Sequence, residues 1–140
     1  MLRRILVPID GTDYSWRALE YACELAGYTH GSLVVMTVVS GRRLQPVPVM
    51  EVDGDCLRAQ LGDELLEAAY VMLSGKNVDC TYILENDSDI AESILRCTSE
   101  QRCDAIVLGS RGLGALEGLF RSSVSQAVVE NATVPVTIIK

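Results

Sequence analysis

At 140 residues the chain fits a single domain, 1–140, large enough to close its own core without disulfides or metals. A hydrophobic fraction of 49% and a charged fraction of 22% are those of a globular protein, and no apolar run reaches the ~18 residues a membrane span needs. The net charge is −7, and the basic residues are scattered, doubled only at Arg3-Arg4 and Arg42-Arg43. That balance argues against nucleic acid, which demands a basic surface.

The first apolar run, 4–9, ends at Pro8-Ile9-Asp10. It is too short for a signal peptide and reads as a buried strand, so a cytoplasmic protein is expected. Between Tyr14 and Gly27, residues Ala18, Ala22, Leu25 and Ala26 form one helical stripe, with Gly27 as the expected terminator. The lone histidine, His30, reads as a helix-end residue rather than a ligand or base.

A second strand spans 32–39, apolar almost without alternation from Val34. Strands covered on both faces look like this, and they belong to parallel sheets. Pro46 and Pro48 mark 41–50 as an extended connection. Leu57, Leu61, Leu65, Ala68, Ala69 and Met72 then repeat at helical spacing up to about Gly75. A third strand is expected over 78–84, and Asp89 with Glu92 starts a helix carrying Ile90, Ile94 and Leu95.

The fourth strand, 104–108, leads into a glycine- and serine-rich segment from Gly109 to Ser125. The last helix covers Ser123–Asn131 with Val124, Ala127 and Val128 inward, and the last strand runs from Val134 to Ile139. Five cysteines without a C-x-x-C pair read as reduced, partly buried small hydrophobes, with no metal site implied.

The alternation β-α-β-α-β-α-β-α-β implies an α/β fold: one five-stranded, doubly wound parallel sheet with helices on both faces. If its strand order is 3-2-1-4-5, the winding reverses between strands one and four. Ligands of such sheets sit beyond the carboxyl ends of the strands at that reversal. The residues leaving those two strands are Pro8-Ile9-Asp10-Gly11-Thr12 and Leu108-Gly109-Ser110-Arg111-Gly112.

Glycines after a strand allow positive φ and close approach of a ligand, and a helix N-terminus about ten residues later suits phosphate. Ser122, Ser123 and Ser125 offer hydroxyls, while Arg111 and Arg121 offer charge. The plainer alternative is a flexible glycine loop with a serine cap on the last helix. Asp10 has two readings as well: a ligand group at the switch point, or a turn residue or helix cap in competition with Asp13. Neither a G-x-x-x-x-G-K-[ST] loop nor a complete G-x-G-x-x-G after strand one is present. A phosphoacceptor response regulator is disfavoured, because no aspartate ends a central strand and Lys140 is merely the terminal residue.

Gly109-Ser110-Arg111-Gly112, nine residues, a small residue and then Ser123-Val124-Ser125 resemble the universal stress protein signature G-x2-G-x9-G-[ST]. The opening from Ile5 to Thr12 and the close from Val134 to Ile139 resemble that family's first and last strands, so the likeness covers the chain. It implies a Rossmann-like fold of the adenine nucleotide alpha hydrolase type. It also implies a regulatory module binding ATP or AMP, with Mg accompanying the phosphates, no redox cofactor and at most slow, incidental hydrolysis.

By that resemblance Asp10, beside Pro8 and Ile9, reads the adenine, and Val38 packs against the base. Leu108 and Gly109 border the ribose, and the phosphates lie against Gly112 and Ser122-Ser123-Val124-Ser125, with Arg111 near. A homodimer through the strand from Val134 to Ile139 is the implied partner. One departure stands out: the motif has glycine where this chain has Ser122. The alternative reading is therefore a dimeric stress-response protein of the same fold that no longer binds nucleotide.

Overall fold

The structure is a computed structural model that describes residues 2–39, 54–110 and 123–140, with side chains described for 2–39, 62–110 and 124–140. Its elements follow in the order β1 (Arg4–Pro8), α1 (Asp13–Thr29), β2 (Ser32–Val39), α2 (Gly54–Leu73), β3 (Asp79–Asn86), α3 (Ile90–Glu100), β4 (Ala105–Gly109), α4 (Ser123–Asn131) and β5 (Val136–Ile139). The five strands form one parallel sheet in the order β3-β2-β1-β4-β5. The expected connection 41–50 lies outside the described residues.

Alternation along the strands divides the core in two. Ile5, Val7, Leu33, Val35 and Val107 face α1 and α2, where Ala18, Leu19, Ala22, Leu66, Ala69 and Leu73 meet them. Leu6, Val34, Met36, Ile106 and Leu108 face α3 and α4, and pack with Ile94, Cys97, Cys103 and Val128. Ile5, Leu6, Val34 and Ile106 are completely buried, each stabilising the fold by about 1.5–3 kcal/mol. The unbroken apolar runs of β1 and β2 thus reflect helices on both faces.

Helix ends show where local reading was right and where it failed. Asp89 caps α3 by accepting the Glu92 N–H at 3.0 Å, as the D-x-x-E pattern predicts. The Asp89 N–H is in turn taken by the Asp87 carboxylate at 3.0 Å. The Asp87 carboxyl is held below the usual aspartate range by that N–H and by Arg96 at 3.1 Å.

Gly27, however, does not end α1. The helix continues to Thr29, and His30 closes it in the left-handed region at φ 54°. A β-carbon at Gly31 would stand 2.7 Å from the Leu2 carbonyl oxygen, so the glycine is needed where the chain re-enters the sheet and His30 takes the strained turn. In α2 the expected Ala69 is buried and Leu65 and Met72 pack half-buried against the core, joined by Leu66 and Leu73, whereas Ala68 is exposed; the side chains of Leu57 and Leu61 lie outside the described residues.

The described cysteines are free thiols, with Cys23, Cys97 and Cys103 buried and Cys80 half-buried. Burial pushes the Cys97 and Cys103 thiols up to about 11. They serve here as small apolar side chains.

Candidate functional site

β1 and β4 are neighbours in the sheet but lead into opposite halves of the winding, so their carboxyl ends open the switch point. The chain leaving β1 keeps one more ladder bond, from the Ile9 N–H to the Met36 carbonyl at 2.8 Å. It then turns at Gly11, whose φ of 88° suits a residue without a β-carbon.

This turn is held by hydrogen bonds among Asp10, Thr12 and Ser15. Asp10 Oδ1 accepts from the Thr12 N–H at 3.0 Å and from the Thr12 hydroxyl at 2.6 Å. Thr12 Oγ1 accepts from the Ser15 N–H at 3.3 Å, which makes Thr12 the N-cap of α1. The Ser15 hydroxyl donates to the Thr12 carbonyl at 2.9 Å and accepts the Asp10 N–H at 3.3 Å. Neither Asp10 nor Asp13 is the cap: Asp10 acts one step earlier, orienting the threonine that caps. The result is a half-buried Asp10 carboxylate whose Oδ1 is held by Thr12 just beyond the carboxyl end of β1.

Alternation places Pro8 on the same face as Leu6, towards α3 and α4. Val38, half-buried near the end of β2, packs on that same core layer, as do Leu108 and the half-buried Val124 of α4. Ser125, in the first turn of α4, is buried at 4% exposure. Ile9 departs from the group, because its side chain lies in the opposite layer beneath α1 and α2. Among the expected site residues, Arg111, Gly112 and Ser122 lie outside the described residues, as does the Ser123 side chain.

Gly109 turns out to be glycine for a different reason from the one its segment suggests. Its φ is not positive. A β-carbon there would stand 2.8 Å from both the carbonyl carbon and the β-carbon of Tyr14. The first turn of α1 is therefore seated directly on the end of β4, while Ser110 extends the ladder by donating to the Ile139 carbonyl at 2.8 Å. Sequence reasoning missed Tyr14 and Ser15, which hold the crevice walls together. Only the D-x-T-x-x-S spacing from Asp10 to Ser15 hinted at the cap network, and nothing local marked Tyr14.

Chemically, the described strand ends offer the Asp10 carboxylate held by Thr12, backbone at the ends of β1 and β4, and the half-buried Val38 near the end of β2. Among the described residues, no group of three or more His, Cys, Asp or Glu side chains is placed to hold a metal ion. No helix among them is long and apolar enough to cross a membrane.

Comparisons with known proteins agree with this architecture. The model of the universal stress protein family matches residues 1–140. The chain is 32% identical to a universal stress protein of Bacillus subtilis and 31% identical to one of Thermus aquaticus, covering 100% of both chains in each case. Among solved structures, the universal stress protein UspA from Lactobacillus plantarum superposes with a TM-score of 0.85 at 19% identity, over 99% of this chain and 98% of that one. Two others share the fold and were solved with nucleotides. A universal stress protein in complex with cAMP has a TM-score of 0.74 at 19% identity, over 99% of this chain and 96% of its own. The Archaeoglobus fulgidus protein in complex with dAMP has 0.72 at 23% identity, over 100% of both. The whole-chain match, carried by a five-stranded sheet of order 3-2-1-4-5, makes this chain a member of the universal stress protein family.

Proposed function

We propose that this chain is a cytoplasmic regulatory module that binds ATP or AMP in the crevice between β1 and β4, without efficient catalysis. One observation carries the reading: β1 and β4 are neighbours whose carboxyl ends lie at the reversal of the winding, and Asp10, held by Thr12, follows the first of them. A carboxylate reads the amino edge of adenine by accepting its N–H, and Val38 supplies an apolar surface for the base. A helix N-terminus draws phosphate through its amides and dipole, which suits α4 and an acidic protein that must hold anions locally. Arg111, Gly112, Ser122 and Ser123 complete the phosphate side in this reading, with Mg on the phosphates. The cAMP and dAMP complexes of proteins with this fold support an adenine nucleotide as the ligand class.

The Thr12 hydroxyl caps α1 and the Ser15 hydroxyl donates to the Thr12 carbonyl, which fits a wall that binds rather than one that activates a nucleophile. The partner in this reading is a second copy joined through β5, the sheet edge, where Pro135 removes only one donor. The test is acid extraction of the purified protein with mass spectrometry of released nucleotide, followed by calorimetric titration with ATP and AMP, with and without Mg. Copurifying adenine nucleotide, or binding below millimolar, is the expected result. Neither being found would overturn the reading.

A second reading, a dimeric protein of this fold that has lost nucleotide binding, is favoured by two particulars. Ser122 replaces the motif glycine, and Gly109 is accounted for by packing against Tyr14 alone. Under it, Ser122→Gly creates an affinity that the native chain lacks. Equal binding by both proteins removes it.

A further inference from the structure

Of the two edges of the sheet, β3 is the longer, with 8 residues against 4 in β5. Backbone N–H and C=O groups alternate sides along a strand, and the Asp87 N–H donates to the Val39 carbonyl at 3.1 Å. The odd-numbered residues of β3 therefore turn their backbone groups towards β2. Those of Cys80, Tyr82 and Leu84 point away from the sheet, and among the described residues no strand pairs with them. Edges of this kind are usually blunted by proline, lysine or a bulge. β3 has neither residue, and its register with β2 runs from Asp79 to Asn86 without interruption.

Helix α2 forms a wall beside this edge. One of its flanks faces inward, since a β-carbon on Gly11 would stand 3.0 Å from Leu65 Cδ2. The opposite flank carries Tyr70, whose ring meets that of Tyr82 edge-on at 5.9 Å between centroids, so this flank lies towards β3. Tyr70 is nevertheless 61% exposed, and Tyr82 is half-buried. At about 100° per residue, Asp63 falls within about 20° of Tyr70 around the helix and Glu67 within about 60°. Both carboxylates are exposed, and among the described residues neither joins an ion pair. From 62 to 73 the helix has no basic residue to offset them. The edge thus combines an open backbone ladder, an aromatic pair and an acidic flank one to two turns away.

We propose that the β3 edge docks an extended, basic segment of a partner protein, which adds to the sheet as a sixth strand. Its backbone pairs with the outward groups of Cys80, Tyr82 and Leu84, an apolar side chain rests on Tyr70 and Tyr82, and lysine or arginine on the same face meets Glu67 and Asp63. Charge chooses this occupant. A second copy paired edge to edge about an axis normal to the sheet would set one acidic flank against the other, and like charges across an interface oppose pairing. The inference stands apart from the nucleotide and β5 readings, because it concerns the other edge of the sheet.

Fluorescence anisotropy tests this with the labelled peptide Leu-Thr-Leu-Thr-Lys-Thr-Lys and its reverse, one for each direction along β3, and with counterparts carrying glutamate for lysine. The proteins are wild type, Tyr70→Ala and the paired Asp63→Lys and Glu67→Lys variant, with circular dichroism melts confirming the fold. One lysine peptide is expected to bind wild type below millimolar, about tenfold or more tighter than its glutamate counterpart, and the paired variant should reverse that preference. Tyr70→Ala should weaken binding, and hydrogen exchange should show the Cys80, Tyr82 and Leu84 amides protected in the complex. No binding of either lysine peptide at millimolar concentration overturns the proposal, as does equal binding of lysine and glutamate peptides or unchanged exchange at those three amides. Wild-type self-association that Tyr70→Ala abolishes in sedimentation velocity would give the edge to a second copy and overturn it as well.

Discussion

The backbone of Tyr14 lies against Gly109 so closely that any β-carbon on the glycine would sit 2.8 Å from the Tyr14 carbonyl carbon. This contact couples the first turn of α1 to the end of β4, the two walls of the switch point. It makes the crevice a property of packing between elements distant in sequence rather than of a loop.

Gly109→Ala therefore forces α1 to shift, because the nearest atoms are backbone rather than a flexible side-chain end. The expected cost is about 1–3 kcal/mol by urea denaturation, with weaker nucleotide binding as the Asp10 turn moves with the helix. A variant as stable as wild type would show that α1 is not seated on β4.

Thr12→Ala removes the cap of α1 and the hydroxyl donor to Asp10, leaving Asp10 the Thr12 N–H. A loss of about 1–2 kcal/mol is expected, and Thr12→Ser should recover most of it by keeping the hydroxyl. Equal stability of the two variants, read from urea midpoints, contradicts the assigned cap.

Asp10→Asn keeps an oxygen able to accept from Thr12 but removes the charge. Stability should change by less than about 1 kcal/mol, whereas adenine nucleotide affinity should fall about tenfold or more, since hydrogen bonds to a charged acceptor are the stronger kind. Titration calorimetry alongside urea denaturation separates the two effects. Unchanged affinity would move the adenine away from Asp10.

Burial holds the Cys97 and Cys103 thiols neutral up to about 11. In the unfolded chain they ionise near their ordinary value of about 8.5. Their contribution is fully present below that value and is lost as pH rises towards 11, because the unfolded chain releases protons first. Stability should fall between about pH 9 and 11, by on the order of a few kcal/mol. The paired Cys97→Ala and Cys103→Ala variant should show a shallower slope. Identical slopes in the variant and the wild type would mean that these thiols ionise as readily in the fold as outside it.

Strands β1, β2 and β4 were legible because burial on both faces leaves an unbroken apolar run in the sequence itself. The start of α3 was legible because Asp89 and Glu92 lie within one turn of each other, so the cap is a local event. Asp10 and Gly109 were placed at the switch point for a similar reason: each directly follows an apolar strand run, so its position can be read along the chain. The end of α1 was not legible. Local preference pointed to Gly27, but a requirement from β1, the carbonyl of Leu2 against Gly31, carried the turn to His30.

What the sequence by itself determined is the order of elements, the two-sided core and the chemical types gathered at the switch point. Each of these follows from periodicity or from contacts within a few residues. Only the tertiary structure decided that Gly109 is small to admit Tyr14 and that Ile9 faces the layer under α1 and α2. Those facts depend on which elements become neighbours after folding, and close packing between distant segments leaves no periodic trace in the chain.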